Sequence, residues 1–303
     1  MGERLVESVP NVSEGRDRTA IEAMAAALQS GPTVRLLDVQ SDPDHHRTVF
    51  TLVGDPDGVA DAILRLFAAA LPRIDLRLHR GEHPRMGAVD VVPFVPVRGV
   101  TMADCVALAR RVGREVWERF RVPVYLYEEA ASRPERRDLA EIRRGEFEGF
   151  ADKILREEWA PDFGERVLHP TAGATAIGAR EFLIAFNVNL GTADLAVAKA
   201  IARAVRGSSG GLRYVKALGV ALADRGIVQV SMNLTNYKKT PLARALDLVR
   251  SEAARYGVAV VGTEIVGLVP EEALFSAADH YLRLERFSPD QVLERRISSA
   301  SDG

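Results

Sequence analysis

"VRLLDVQSDPDHHRTVFTLVGDPDGVADAILRLFAAA", residues 34–70, decides between a parallel and an antiparallel sheet. Two apolar runs, Val34–Gln40 and Thr48–Val53, flank Asp42-Pro43-Asp44, which is ordinary turn chemistry. Strands joined so closely pair antiparallel, because a parallel pair needs a crossover of a dozen or more residues. Asp55 then precedes Pro56, an acidic cap before proline at the first helical position, and a helix is predicted over Pro56–Ala70.

Outward from this unit, Leu5–Val9 reads as a strand and Asp17–Leu28 as a helix, with Ala88–Val97 a strand on the far side. The order is β-α-β-β-α-β. Thr101–Phe120 is predicted as a helix opened by a loose capping box, Thr101 with Asp104, and Val122–Tyr127 as a further strand. A mixed, charged segment from Glu128 to about Ala179 holds two short helices among Pro134, Gly145, Gly149, Pro161 and Gly164.

The order then restarts. Strands are predicted at Phe182–Asn189, Tyr214–Leu222, Ile227–Leu234 and Val258–Val266. Helices are predicted at Ala193–Arg206 and Pro241–Tyr256, and a closing one at Pro270–Ala278. The expected fold class is α+β, with two ferredoxin-like β-α-β-β-α-β subdomains, residues 1–179 and 180–303, and a ligand groove between them.

Composition narrows the function classes. Apolar residues make up 47% and charged residues 27%, enough for a large core and against disorder. Lys+Arg 40 against Asp+Glu 42 gives a net charge of -2, which argues against a bulk nucleic-acid or membrane-surface binder. No run reaches the ~18 apolar residues of a membrane span, and MGERLVESVP lacks a signal-peptide pattern. One cysteine, Cys105 on an apolar helix face, fits core packing and a reducing compartment. A cytoplasmic globular protein is expected.

Three motifs fail on context. "GSSGG" (207–211) follows a helix and precedes a strand, the reverse of a nucleophile elbow, and reads as a flexible loop. "GATAIGAR" (173–180) has P-loop glycine spacing but lacks Lys-Ser/Thr and precedes a strand. His45-His46 would point to opposite faces of a strand with no carboxylate to complete a site, so no metal is expected.

"RLHRGEHPRMGAVDVVPFVPVRGV" (77–100) is different. Gly81, Pro84 and Gly87 exclude a helix, and the stretch reads as a strand, an exposed basic loop and a second strand. His83, between Gly81 and Pro84, is placed by backbone, where an imidazole can move protons near neutral pH. A solvated basic loop is the bland alternative. "VPNVSEGRD" (9–17) presents Asn11 at a strand end, with Ser13 or Asp17 available to cap the next helix and Arg16 as a cation. Asp38 on an apolar strand and Arg47 beginning the next are less ordinary, since such strand ends can meet the His83 loop.

"LVESVPNVSEG", "HRGEHPRMGAVDVVPFVPVRGV", "VPVYLYEEA", "APDFG", "GAREFLIAFNVNLG", "QVSMNLTNY" and "VVGTEIVGLVP" occur in this order. Together they resemble the glutamate formiminotransferase family, from Leu5 to about Leu284. The resemblance implies two α/β subdomains, a homodimer, and transfer of a formimino group from N-formimino-L-glutamate to the five-position nitrogen of tetrahydrofolate, in histidine degradation. It places the catalytic histidine on His83. It places folate contacts on Gly164, Glu165, Arg166, Val167, Leu168, His169, Pro170, Thr171, Ala172 and Gly173. Asn11 and Arg47 match the family's strand-end asparagine and the arginine before "TV".

This chain reads "VLHPTAG" where family members akin to the animal enzymes read "FVPSWG", losing an aromatic ring. It has His46 for asparagine and Gln40 for an acid two residues after Asp38. It ends without room for the helical cyclodeaminase domain fused in the animal proteins, so a separate cyclodeaminase is an expected partner.

Arg47 and Arg85 suit the glutamate carboxylates of the two substrates, and Asn11, Asn187, Asn189 and Asn233 are amides able to read a pterin edge or to satisfy backbone. A glutamate formyltransferase on the same folate and a non-catalytic folate-binding protein are the rival readings.

Overall fold

Pro10 interrupts the first strand, so it runs as two pieces, β1 (Leu5–Ser8) and β2 (Asn11–Val12). Helix α1 (Arg18–Gln29) follows, capped by the Asp17 carboxylate, which accepts from Thr19 N and Ala20 N. The hairpin forms as β3 (Val34–Asp42) and β4 (Arg47–Gly54), antiparallel with Asp42 opposite Arg47. Helix α2 (Pro56–Ala70) begins on the Asp55 cap with proline in its first turn. It buries Val59, Ile63, Leu66 and Phe67 at helical spacing, each large side chain contributing about 1.5–3 kcal/mol. Strand β5 (Val89–Arg98) and helix α3 (Met102–Phe120) complete this stretch, with both halves of the Thr101–Asp104 capping box formed and Cys105 fully buried.

The computed structural model describes residues 4–81 and 84–301, and the chain divides into two units, residues 1–180 and 181–303. In the first, the four-strand order β5-β1-β4-β3, antiparallel throughout, is the ferredoxin-like arrangement. Two strands extend it: β6 (Val124–Glu128) and β7 (Thr175–Ala179), with β7 parallel to both β5 and β6. β7 was not expected. Its sequence, TAIGA, is short, and three of its five residues are alanine or glycine, yet all five are buried. Small side chains are what fit there, since a Cβ on Gly178 would run into the Tyr127 ring.

Two helices of the mixed segment, α4 (Leu139–Arg143) and α5 (Glu146–Lys153), supply Ile142 and Phe150 to a cluster with Val91, Tyr125, Tyr127 and Ala176. The sheet is thus covered on both faces at its β5-β7-β6 end, which accounts for the buried apolar run Val91–Val95 in β5.

The second unit repeats the order with β8 (Ile184–Leu190), α6 (Leu195–Val205), β9 (Val215–Leu222), β10 (Ile227–Leu234), α7 (Leu242–Ala254) and β11 (Val260–Val266). The sheet order is β11-β8-β10-β9, again antiparallel and ferredoxin-like. α8 (Glu271–Leu282) packs on α7, and α9 (Leu293–Ser301) closes the element list. No helix is long and apolar enough to cross a membrane.

Two local expectations are corrected. Residues 76–78 form a turn, not a strand, closed by Asp75, which accepts from both the amide and the guanidinium of Arg77. His45 and His46 lie in the hairpin turn rather than on a strand, and His46 takes a positive φ of 50°.

Candidate active site

His83 and Glu82 lie outside the described residues, so the site is defined by what holds Gly81 and Pro84 on either side. On the leading side, His46 stacks on His79 with ring centroids 4.1 Å apart and planes 9° from parallel. His46 Nδ1 reaches Arg80 O at 3.2 Å and Nε2 reaches Glu14 Oε1 at 3.1 Å. Gly81 sits directly over the His45 carbonyl, where any Cβ would collide. Burial alone would raise the Glu14 carboxyl. The amides of Asp17 and Arg16, together with His46, bring it below its ordinary value instead.

On the trailing side, Arg85 is buried, against the exposed loop expected. Its guanidinium meets Glu146 at 2.9 Å and both oxygens of Glu148 at 2.8 and 2.6 Å. Its Nε donates to His79 Nδ1 at 3.1 Å. Asp90, buried on β5, accepts from Met86 N at 2.7 Å and Gly87 N at 3.1 Å, while its other oxygen takes Arg143. The chain after His83 is therefore fixed at three consecutive residues.

These contacts settle the state of His79. A guanidinium N–H only donates, so Nδ1 is an acceptor, and Nε2 carries the proton it gives to His46 O at 2.9 Å. Burial lowers the His79 pKa, as it does that of His169. The unfolded chain then takes a proton below about pH 6.5 that the folded one refuses. The stability His79 provides is complete above that value and is lost as pH falls, by up to about 1.4 kcal/mol per pH unit. Thermal melts from pH 7.5 to 5.5 should show this decline, and His79→Gln should lessen it. An unchanged slope in the variant would mean that His79 titrates normally.

Arg47, at the start of β4, is half-buried, and its guanidinium has no hydrogen-bond or ion-pair partner among the described residues. Burial and the nearby Arg143 lower its pKa, while Asp42 and Asp90 oppose them. Asn11 stands opposite Val49 and Val91, and Asp38 opposite Thr51. Directly paired residues share a face, as do residues two apart on a strand, so Asn11, Asp38 and Arg47 lie on one face of the sheet, away from α1 and α2. Asp38 spends its oxygens locally, on Val39 N at 3.0 Å and Gln40 Nε2 at 2.9 Å. Asn11 donates to Val9 O at 3.2 Å.

The segment read as folate-contacting divides in two. Gly164 has a φ of 133°, Val167 is exposed, and Arg166 pairs with Glu157. His169–Gly173 packs on the chain leading to and from Gly81 and Pro84: Leu76 N donates to Thr171 O, Ala88 N to Ala172 O and Ala174 N to Met86 O, each at 2.9 Å. His169 Nδ1 accepts from Ala172 N at 3.0 Å, tying the segment to itself. Gly173, at a φ of 68°, abuts the Met86 carbonyl too closely for any side chain.

In the second unit, Asn187 and Asn189 sit on β8 on the face away from its helices. Asn189 Oδ1 accepts from Gln229 at 2.9 Å, and Asn187 donates to Glu264 at 3.3 Å. Among the described residues, no group of three or more His, Cys, Asp or Glu is placed to hold a metal ion.

Residues 5–180 match the model of the formiminotransferase domain, N-terminal subdomain, and residues 185–297 that of the formiminotransferase domain. The chain belongs to the formiminotransferase family. It is 52% identical over 300 residues to the glutamate formimidoyltransferase of Thermoplasma acidophilum, covering 98% of this chain and 99% of that one. It is 48% identical over 295 residues to that of Streptococcus pyogenes, covering 97% and 99%. The formimidoyltransferase-cyclodeaminase of Rattus norvegicus is 44% identical over 288 residues, 93% of this chain and 53% of that protein.

Asp90, Arg143, Glu146 and Glu148 were not singled out from the formiminotransferase sequence. Asp90 carried the same signal as Asp38, an acid in an apolar strand. The other three carried none, because their partners lie 53 to 63 residues away.

Proposed function

We propose that this protein transfers the formimino group of N-formimino-L-glutamate to the five-position nitrogen of tetrahydrofolate, releasing L-glutamate. Near full-length likeness to two chains named glutamate formimidoyltransferase carries this reading. The acceptor nitrogen attacks the formimino carbon and must lose a proton from the tetrahedral intermediate, while the glutamate nitrogen must gain one to leave. His83 takes the first proton and gives the second. Binding both substrates side by side supplies much of the remaining acceleration.

In this reading Arg47 receives a substrate carboxylate, Gly164–Gly173 contacts folate, and Asn11, Asp38, Asn187 and Asn189 contribute polar contacts to the substrates. Arg85, already held by two carboxylates of the protein itself, orders the loop and gives its charge to substrate only by exchange with Glu146 or Glu148. The protein acts as a cytoplasmic homodimer, and a cyclodeaminase consumes its product.

Purified protein assayed with tetrahydrofolate and either N-formimino-L-glutamate or N-formyl-L-glutamate tests the proposal. Turnover with the formimino donor is expected. Turnover with the formyl donor alone would make it a formyltransferase, and folate binding without turnover on either donor would make it a binding protein.

A further inference from the structure

Helices α4 and α5 grip the chain that follows His83 at three points. Arg143, the last residue of α4, meets Asp90. Glu146 and Glu148, in the first turn of α5, hold Arg85, and Phe147 N donates to Arg85 O at 2.9 Å. What keeps the two helices in register is Lys153, the last residue of α5, buried and outside the chemistry above. Its ammonium donates to Glu141 O at 2.6 Å, Ile142 O at 2.7 Å and Arg144 O at 3.0 Å.

Three donors thus meet three acceptors, all carbonyls at the end of α4, where helical amides run out; Glu141 O also accepts from Arg144 N at 3.4 Å. Ile142 and Arg144 flank Arg143, so the backbone on both sides of that arginine is pinned to one point. The ring of Trp159 lies 3.8 Å from Nζ and closes the pocket.

We propose that Lys153 is a positioning residue for the catalytic loop, locking α4 to α5 so that Arg143 sets Asp90 and Asp90 sets the Met86–Gly87 backbone. The link from this lock to turnover rests on the assignment of His83 above. A lysine satisfied by carbonyls alone depends on its charge. A neutral amine has two donors for three acceptors and turns a lone pair toward one of them. Burial brings the Lys153 pKa down to about 8, with Arg144 and Arg156 adding to the effect and Glu141 opposing it. The lock is therefore complete below about pH 8 and slackens above it.

Hydrogen exchange of the full chain tests the lock without reference to activity. Lys153→Met should raise the exchange of the peptide spanning residues 84–90 about tenfold or more while β10 stays protected. In wild-type protein, moving from pH 7 to pH 9 should deprotect the same peptide beyond the intrinsic base-catalysed rate, a readout that stands if the variant does not fold. Unchanged protection in the folded variant, or in wild type at pH 9, overturns the proposal.

Kinetically, Lys153→Met should lower kcat by about 10- to 100-fold, the scale of a small misplacement, with both Michaelis constants within about twofold of wild type. Altered exchange with unaltered kcat overturns the positioning role. A wild-type protein without transferase activity overturns the function while the exchange still judges the lock.

Discussion

His83→Ala is expected to lower turnover by roughly 10²–10⁴-fold, the usual cost of a lost general acid–base group, and to leave folate affinity nearly unchanged. The chain has 6 histidines, and each of the five described has a ring nitrogen already engaged. His79 is held by Arg85 and the His46 carbonyl, and His46 by Glu14 and the Arg80 carbonyl. His45 is held by Asp42, His169 by its own loop amides, and His280 by Asp247. A proton shuttle needs a nitrogen that can exchange partners during the reaction. His79 in particular, buried and tied at both nitrogens, serves as scaffold. The test is a single-turnover assay on folded His83→Ala protein alongside a folate titration. Turnover near that of wild type would end the mechanism as written, and loss of folate binding would move His83 from proton transfer to recognition.

Both sheets were largely legible in the sequence because their signals are local. The acidic turn at Asp42-Pro43-Asp44, the Asp55-Pro56 cap and the Thr101–Asp104 box each act within a few residues, and each formed where read. β7 was missed for the opposite reason. TAIGA is set by the space between β5 and β6 and not by its own propensity, which tertiary packing overrides.

The 77–80 stretch misled in another way. Ile74, Leu76 and Leu78 alternate with polar residues leading into it, but Asp75 captures Arg77 and turns the chain, leaving Leu78 80% exposed. At the site, the dense positive charge of residues 77–85 read as solvated loop. Among the described residues, Arg85 and His79 are buried instead, because Glu146, Glu148 and a carbonyl from the hairpin turn arrive to satisfy them. No local pattern announces partners that far along the chain.

Arg47→Ala is expected to raise the Michaelis constant for one of the two substrates by roughly 10- to 150-fold, with kcat less affected, from the loss of a charge-assisted hydrogen bond of about 1.5–3 kcal/mol. Of the cations near the His83 loop, it is the one whose guanidinium is both half-buried and without a hydrogen-bonding partner among the described residues. Arg85 is taken by Glu146 and Glu148, and Arg143 by Asp90. The nearest acids do not release Arg47 from needing a partner. Asp90 spends its oxygens on Arg143 and two amides, and Asp42 spends its own on His45 and the turn amides.

A half-buried guanidinium beside a second one is electrostatically costly until an anion arrives, and a substrate carboxylate is the anion this chemistry supplies. Arg47→Lys should recover only part of the loss, since an ammonium cannot make the two-pronged contact. Initial-rate measurements varying each substrate in turn decide the matter. If both Michaelis constants stay at their wild-type values in a folded Arg47→Ala protein, the arginine is structural and the substrate carboxylate is held elsewhere.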